Sequence, residues 1–78
     1  MSLFIILNSR GEFLDKQLNW VSADDASVIF NTPHRDVALN QLIELNARDI
    51  HLRARVVHCD SDGKGRPLLS SMADASTA

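Results

Sequence analysis

The sequence predicts an α+β fold: an antiparallel β-sheet with one main helix packed on one face, in the order β-β-β-α-β-β. Three observations predict it. The stretch Thr32 to Asn46 repeats its apolar residues with a helical period. Runs on either side, Leu3–Leu7 and Leu52–Asp60, have the composition or the alternation of strands. Clusters of turn residues, Asn8–Gly11 and Asp60–Gly65, adjoin those runs at hairpin spacing.

Taken in order, Leu3-Phe-Ile-Ile-Leu7 is apolar on both faces and reads as a central strand covered on one side by the helix. Asn8–Gly11 is turn chemistry, with Gly11 free to take positive φ. Glu12–Leu14 returns as the second strand of a hairpin, and can run on past Asp15–Gln17 toward Leu18–Val21 with a bulge or bend. Ser22–Ala26 is a polar break with room for a single helical turn. Ser27–Asn31 is then a short third strand that feeds into the helix.

The helix rests on spacing. At about 100° per residue, Ala38, Leu39, Leu42, Ile43 and Leu45 share one arc, and Ile50 joins them if the helix runs on. Asp36, Asn40, Gln41, Glu44 and Arg48 share the other. Thr32 is the expected N-cap and Pro33 the first helical residue, where a missing N–H costs nothing. Asp36 places a carboxylate near the positive end of the helix dipole. Asn46 interrupts the apolar arc, so the helix is expected to end near it, with an extra turn through Ala47–Asp49 left open.

Beyond the helix, Leu52, Ala54, Val56 and His58 alternate with Arg53, Arg55, Val57 and Cys59 on the two faces of one strand. Asp60–Gly65 is the strongest turn signal in the chain. Arg66–Leu69 returns as a short edge strand, where Pro67 is tolerable because an edge residue need not donate. Residues 1–69 are thus expected to form a single domain. Residues 70–78, small and polar, read as a disordered tail. No internal repeat is evident. With only one helix to cover it, the second face of the sheet is expected to be poorly buried.

Composition narrows the function classes. The chain has 78 residues, enough for one small domain whose core is limited by its size. Its one cysteine excludes an internal disulfide and suits a reducing compartment. The Leu3–Leu7 run is too short for a membrane span or a signal sequence, and no N-glycosylation sequon is present. A cytoplasmic protein with no membrane association is expected. The net charge of −2 opposes a dedicated nucleic-acid binder. The charge is nevertheless uneven, with five Lys/Arg against three Asp/Glu over residues 48–66.

The combination Gly11-Glu-Phe-Leu14, Trp20, Asp25-Ala26, Phe30-Asn-Thr-Pro33, Ala38 and Gly65-Arg-Pro67 resembles a type of short uncharacterised bacterial protein, over roughly residues 3–69. The shared features are turns, a strand-to-helix junction and core positions. The resemblance implies a small bacterial domain and transfers no catalytic or binding residue.

Candidate chemistry is sparse. Asp60-Ser-Asp62-Gly-Lys-Gly65 begins like a calcium loop, but Lys64 and Ser71 stand where ligands should be. Gly63-Lys-Gly65 lacks the remaining residues of a phosphate loop. His34, His51, His58 and Cys59 lack the spacing of a zinc site. No metal, cofactor, catalytic residue or small-molecule substrate is therefore assigned. Two surfaces are singled out. Thr32, His34 and Arg35 surround the expected helix start, where backbone N–H groups and the dipole can hold an anion. Arg53, Arg55 and Val57 share a strand face that can meet a protein partner or a second copy of the chain. The expectation is a non-catalytic binding or self-association module, with a homodimer as one form. The alternative is a weak nucleic-acid accessory using Arg48, Arg53, Arg55, Lys64 and Arg66.

Overall fold

The structure, a computed structural model, describes residues 2–22, 26–51 and 53–74, without the side chains of 26 and 70–74. The fold is α+β. Five strands, β1 (Ser2–Leu7), β2 (Phe13–Leu14), β3 (Trp20–Val21), β4 (Arg55–Ser61) and β5 (Pro67–Asp74), form one antiparallel sheet in the order β3-β2-β1-β4-β5. The helix α1 (Arg35–Arg48) packs against β1 and β4, the two central strands.

β1 is central because both of its faces are apolar. Phe4 and Ile6 point to the helix side, where they pack with Leu14, Ala38, Leu45, Ala54 and Val56. Leu3, Ile5 and Leu7 point to the other side and pack with Phe13, Ile29, Val57 and Cys59. The expectation that this second face is poorly covered is therefore corrected. Its cover comes from within the chain. A 3₁₀ turn, Ala26–Val28, sits beside β2 through a 2.9 Å bond from the Lys16 N–H to the Val28 carbonyl, and β5 contacts that turn. Ile29, next to that turn, together with Phe13 of β2 and Leu69 of β5, fills this side against β1 and β4. The pairing of β5 with β4 shifts register between His58 and Asp60.

Several element boundaries also move. Ser27–Asn31 is not a strand; the 3₁₀ turn takes its first residues, and only single bridges, Asp15 to Ile29 and Phe4 to Thr32, follow. The third strand is Trp20–Val21, which the sequence suggests only as an extension of the second. Thr32 is not the N-cap. Its N–H and carbonyl are both taken by Phe4, at 3.1 and 2.7 Å, so it is held as extended chain. The helix begins two residues later behind His34, whose N–H donates to Thr32 Oγ1 at 3.1 Å. At its other end the helix runs past Asn46 to Arg48, through the extra turn left open by the sequence. β4 starts at Arg55, which leaves Arg53 outside it. β5 continues past the expected boundary at 69 as far as Asp74. Leu52, residues 23–25 of the expected helical turn and residues 75–78 of the expected tail lie outside the described residues.

One turn geometry is used three times. In Asn8–Glu12, Asp15–Asn19 and Asp62–Arg66, the first side chain's Oδ1 accepts from the backbone N–H groups two and four residues on, at 2.8–3.0 Å. The fourth residue has positive φ: Gly11 at 79°, Leu18 at 64° and Gly65 at 79°. Two of the three turns use glycine, which takes this conformation without steric cost. A methyl group added at Gly11 or Gly65 would meet no atom within 4 Å, so substitution there tests backbone strain alone. We expect Gly11→Ala and Gly65→Ala each to cost about 1 kcal/mol in thermal melts, and Gly→Asn less. An unchanged melting temperature for both alanine variants would refute this account of the turns.

Candidate functional site

The polar side chains that could carry chemistry are mostly committed to the fold. Asp62, the core of the calcium-like stretch, accepts from the N–H groups of Lys64 and Arg66 and pairs with Arg66 Nε at 3.0 Å. The Arg66 and Lys64 amides, followed by the Arg66 side chain, hold the Asp62 carboxyl below the ordinary range. Asp62 therefore stabilises the fold above the ordinary carboxylate pKa. That contribution is lost as pH falls below about 4 through the depressed folded-state pKa. We expect Asp62→Asn to flatten this acid limb, and millimolar calcium to leave the melting temperature of the natural chain unchanged. A calcium-specific rise, absent with magnesium, would show that Asp62 can leave its turn.

Cys59 is 1% exposed within the second core cluster. Burial raises its thiol pKa, a backbone hydrogen bond with Leu68 lowers it and the charge of Asp60 raises it. A thiol so held stays protonated and is a poor nucleophile. His58 is half-buried on the helix side, its ring centroid 6.4 Å from that of Phe4. His34 and His51 are exposed. Among the described residues, no three His, Cys, Asp or Glu side chains come together as a metal would need. A half-open cleft of about 310 Å³ lies between Asp15–Gln17 and Ser27–Val28. Its one carboxylate, Asp15, is already the acceptor for Gln17 and Asn19.

The two surfaces singled out from the sequence fare differently from expectation. At the helix start, Thr32 is buried and its hydroxyl oxygen is engaged by His34, while His34 and Arg35 are exposed. Asp36 already places a negative charge in the first turn, where it satisfies the dipole and repels an anion. The strand-face trio Arg53, Arg55 and Val57 does not form one surface. Val57 is 3% exposed and belongs to the core, and Arg53 stands before the strand with φ 47°. Only Arg55 is both exposed and on β4.

The basic residues divide between two ends of the sheet. Arg48 closes the helix, Arg55 opens β4 opposite Leu7, and Arg53 precedes it. The turn that follows β1 adds Arg10 to this end. Lys64 and Arg66 lie beyond the far end of β4, about 20 Å away at 3.3 Å per residue.

What the structure adds is an apolar outer surface on the helix. The core takes Ala38 and Leu45 fully and Leu39 and Leu42 in part. Ile43, expected on the core-facing arc, is instead 66% exposed and Val37 is 45% exposed; Ile50, which would join the arc only if the helix ran on, lies past the helix end and is 76% exposed. The sequence arc is wider than the strip of sheet it packs on, so one margin of it faces water. Exposed Ala47 continues that margin.

Comparison with family models, curated proteins and solved structures finds no match in any of the three. Among the described residues, no helix is long and apolar enough to cross a membrane.

Proposed function

We propose that this domain works by binding, as a protein–protein or self-association module of the bacterial cytoplasm, without catalysis. The observation that carries the reading is the outer face of α1. Ile43 stands exposed there and Ile50 stands exposed just past the helix end, while the side chains suited to chemistry mostly hold turns or lie in the core. A small domain gains little from exposed isoleucines unless something covers them. The buried free thiol suits a reducing compartment, and the bacterial setting rests on the resemblance drawn from the sequence.

The test is a pull-down with tagged chain from bacterial lysate, with nuclease added, beside the variant Ile43→Glu/Ile50→Glu. Recovery of a discrete partner, or of a second copy, that the variant loses is the expected result. Equal recovery by both chains would remove the helix face as the binding surface.

A second reading is favoured by one observation, the collection of Arg10, Arg48, Arg53 and Arg55 at one end of the sheet. It is a weak association with nucleic acid. Three or four phosphate contacts would give a log–log salt slope of about −3. Anisotropy with a labelled oligonucleotide that shows no binding at low salt would end it.

A further inference from the structure

We propose that the Asp62–Gly63 bond is the site of a backbone modification, isomerisation of Asp62 to isoaspartate, and that the folded β4–β5 turn keeps this site closed until the hairpin opens. The inference is independent of the binding reading above. In the three turns of shared geometry, the side chain that accepts the hydrogen bonds belongs to Asn8, Asp15 or Asp62, and the next residue is Ser9, Lys16 or Gly63. Of these, Gly63 alone has no side chain to hinder its peptide nitrogen from reaching the neighbouring carboxyl carbon.

The reaction is a dehydration followed by a hydrolysis. The Gly63 nitrogen attacks Asp62 Cγ, the nitrogen's proton and the carboxyl hydroxyl leave as water, and a five-membered cyclic imide forms. Water then opens the ring at either carbonyl. Opening at Cγ restores aspartate. Opening at the former main-chain carbonyl leaves the chain running through Cβ and Cγ, with a free carboxylate on Cα. No oxidant, reductant or cofactor takes part.

The folded turn opposes the first step. Attack requires a neutral carboxyl, free to swing onto the Gly63 nitrogen. Asp62 Oδ1 instead accepts from the Lys64 and Arg66 N–H groups at 2.8 and 2.9 Å, and Oδ2 accepts from Arg66 Nε at 3.0 Å. The main chain of Asp62 is fixed as well. Its N–H donates to the Arg66 carbonyl at 2.7 Å, and its carbonyl accepts from the Gly65 N–H at 3.1 Å. A carboxylate held by these donors stays ionised and in place. Attack therefore waits for local opening of the hairpin. The product does not fit the turn. It carries an extra methylene in the main chain, and its carboxylate is displaced from the Lys64 and Arg66 N–H groups. The turn leads into β5, whose Leu69 packs against the core cluster of Leu3, Ile5 and Val57, so the damage reaches the sheet.

The test is ageing of the full chain at mildly acidic pH, folded or in guanidinium chloride, with isoaspartate located by peptide mapping. The denatured chain is expected to accumulate it first at Asp62, and the folded chain at least about tenfold more slowly. Gly63→Ala is expected to melt as the natural chain does, since a methyl group there meets no atom within 4 Å, and to slow the reaction in denaturant. Gly65→Ala strains the same turn at φ 79° and is expected to isomerise faster than the natural chain while folded. A folded chain that isomerises as fast as the denatured one overturns the protection. A denatured chain whose isoaspartate forms mainly at another residue, or at Asp62 as fast in Gly63→Ala, overturns the site.

Discussion

Val57→Glu unfolds the domain. Val57 sits between Ile5 and Cys59 in the second core cluster, 3% exposed, and no basic side chain belongs to that cluster. A carboxylate placed there loses its hydration without gaining a partner, a penalty of several kcal/mol. A chain of this length has about 4–12 kcal/mol of total stability at typical per-residue values. The expected circular dichroism spectrum is that of an unfolded chain, with no cooperative melt. Arg55→Glu, two residues earlier and exposed, is the control and retains a cooperative transition. A normal melt for Val57→Glu would mean that the second sheet face is open to water.

Asn46→Ala lowers stability by about 2 kcal/mol, which for a domain of this size is a fall of about 10 °C in melting temperature. Asn46 projects from the last turns of α1 toward the chain that returns to β4. Its Nδ2 donates to the Ala54 carbonyl at 3.4 Å, and its Oδ1 accepts from the Ala54 N–H at 3.3 Å. Ala54 is buried, so both of its backbone groups lose their partner when the amide is removed. The Ala54 amide should then exchange with solvent faster than those of central β4. Unchanged melting and exchange would show that water replaces the side chain without cost.

Asn46 also shows how far local pattern can be read. A polar residue inside an apolar arc signals a helix end when only neighbours in sequence are considered. Here it remains helical because its amide serves a peptide group eight residues away. Thr32-Pro33 is a good helix start by local rules, yet Phe4 takes the backbone of Thr32 first and delays the helix to Arg35. The candidate face Arg53, Arg55, Val57 failed for a related reason. Alternation places residues on faces, but it does not say which faces the rest of the chain will cover.

Legible in the local sequence are the class of fold, the central place of Leu3–Leu7, the helix within two or three residues, and the turns at Asn8–Gly11 and Asp60–Gly65, with Gly11 at positive φ. These features depend on contacts within a few residues: backbone sterics, side-chain-to-backbone hydrogen bonds and the period of apolar positions. Packing between distant parts of the chain sets the rest: the second sheet face is buried, Val57 is core, and Ile43 and Ile50 face outward. Those outcomes depend on groups far apart in the chain. Phe13, Ile29 and Leu69 converge on one side of β1, while the sheet on the other side is too narrow to bury the full apolar arc of the helix. Burial is a property of the closed surface, and no local stretch contains it.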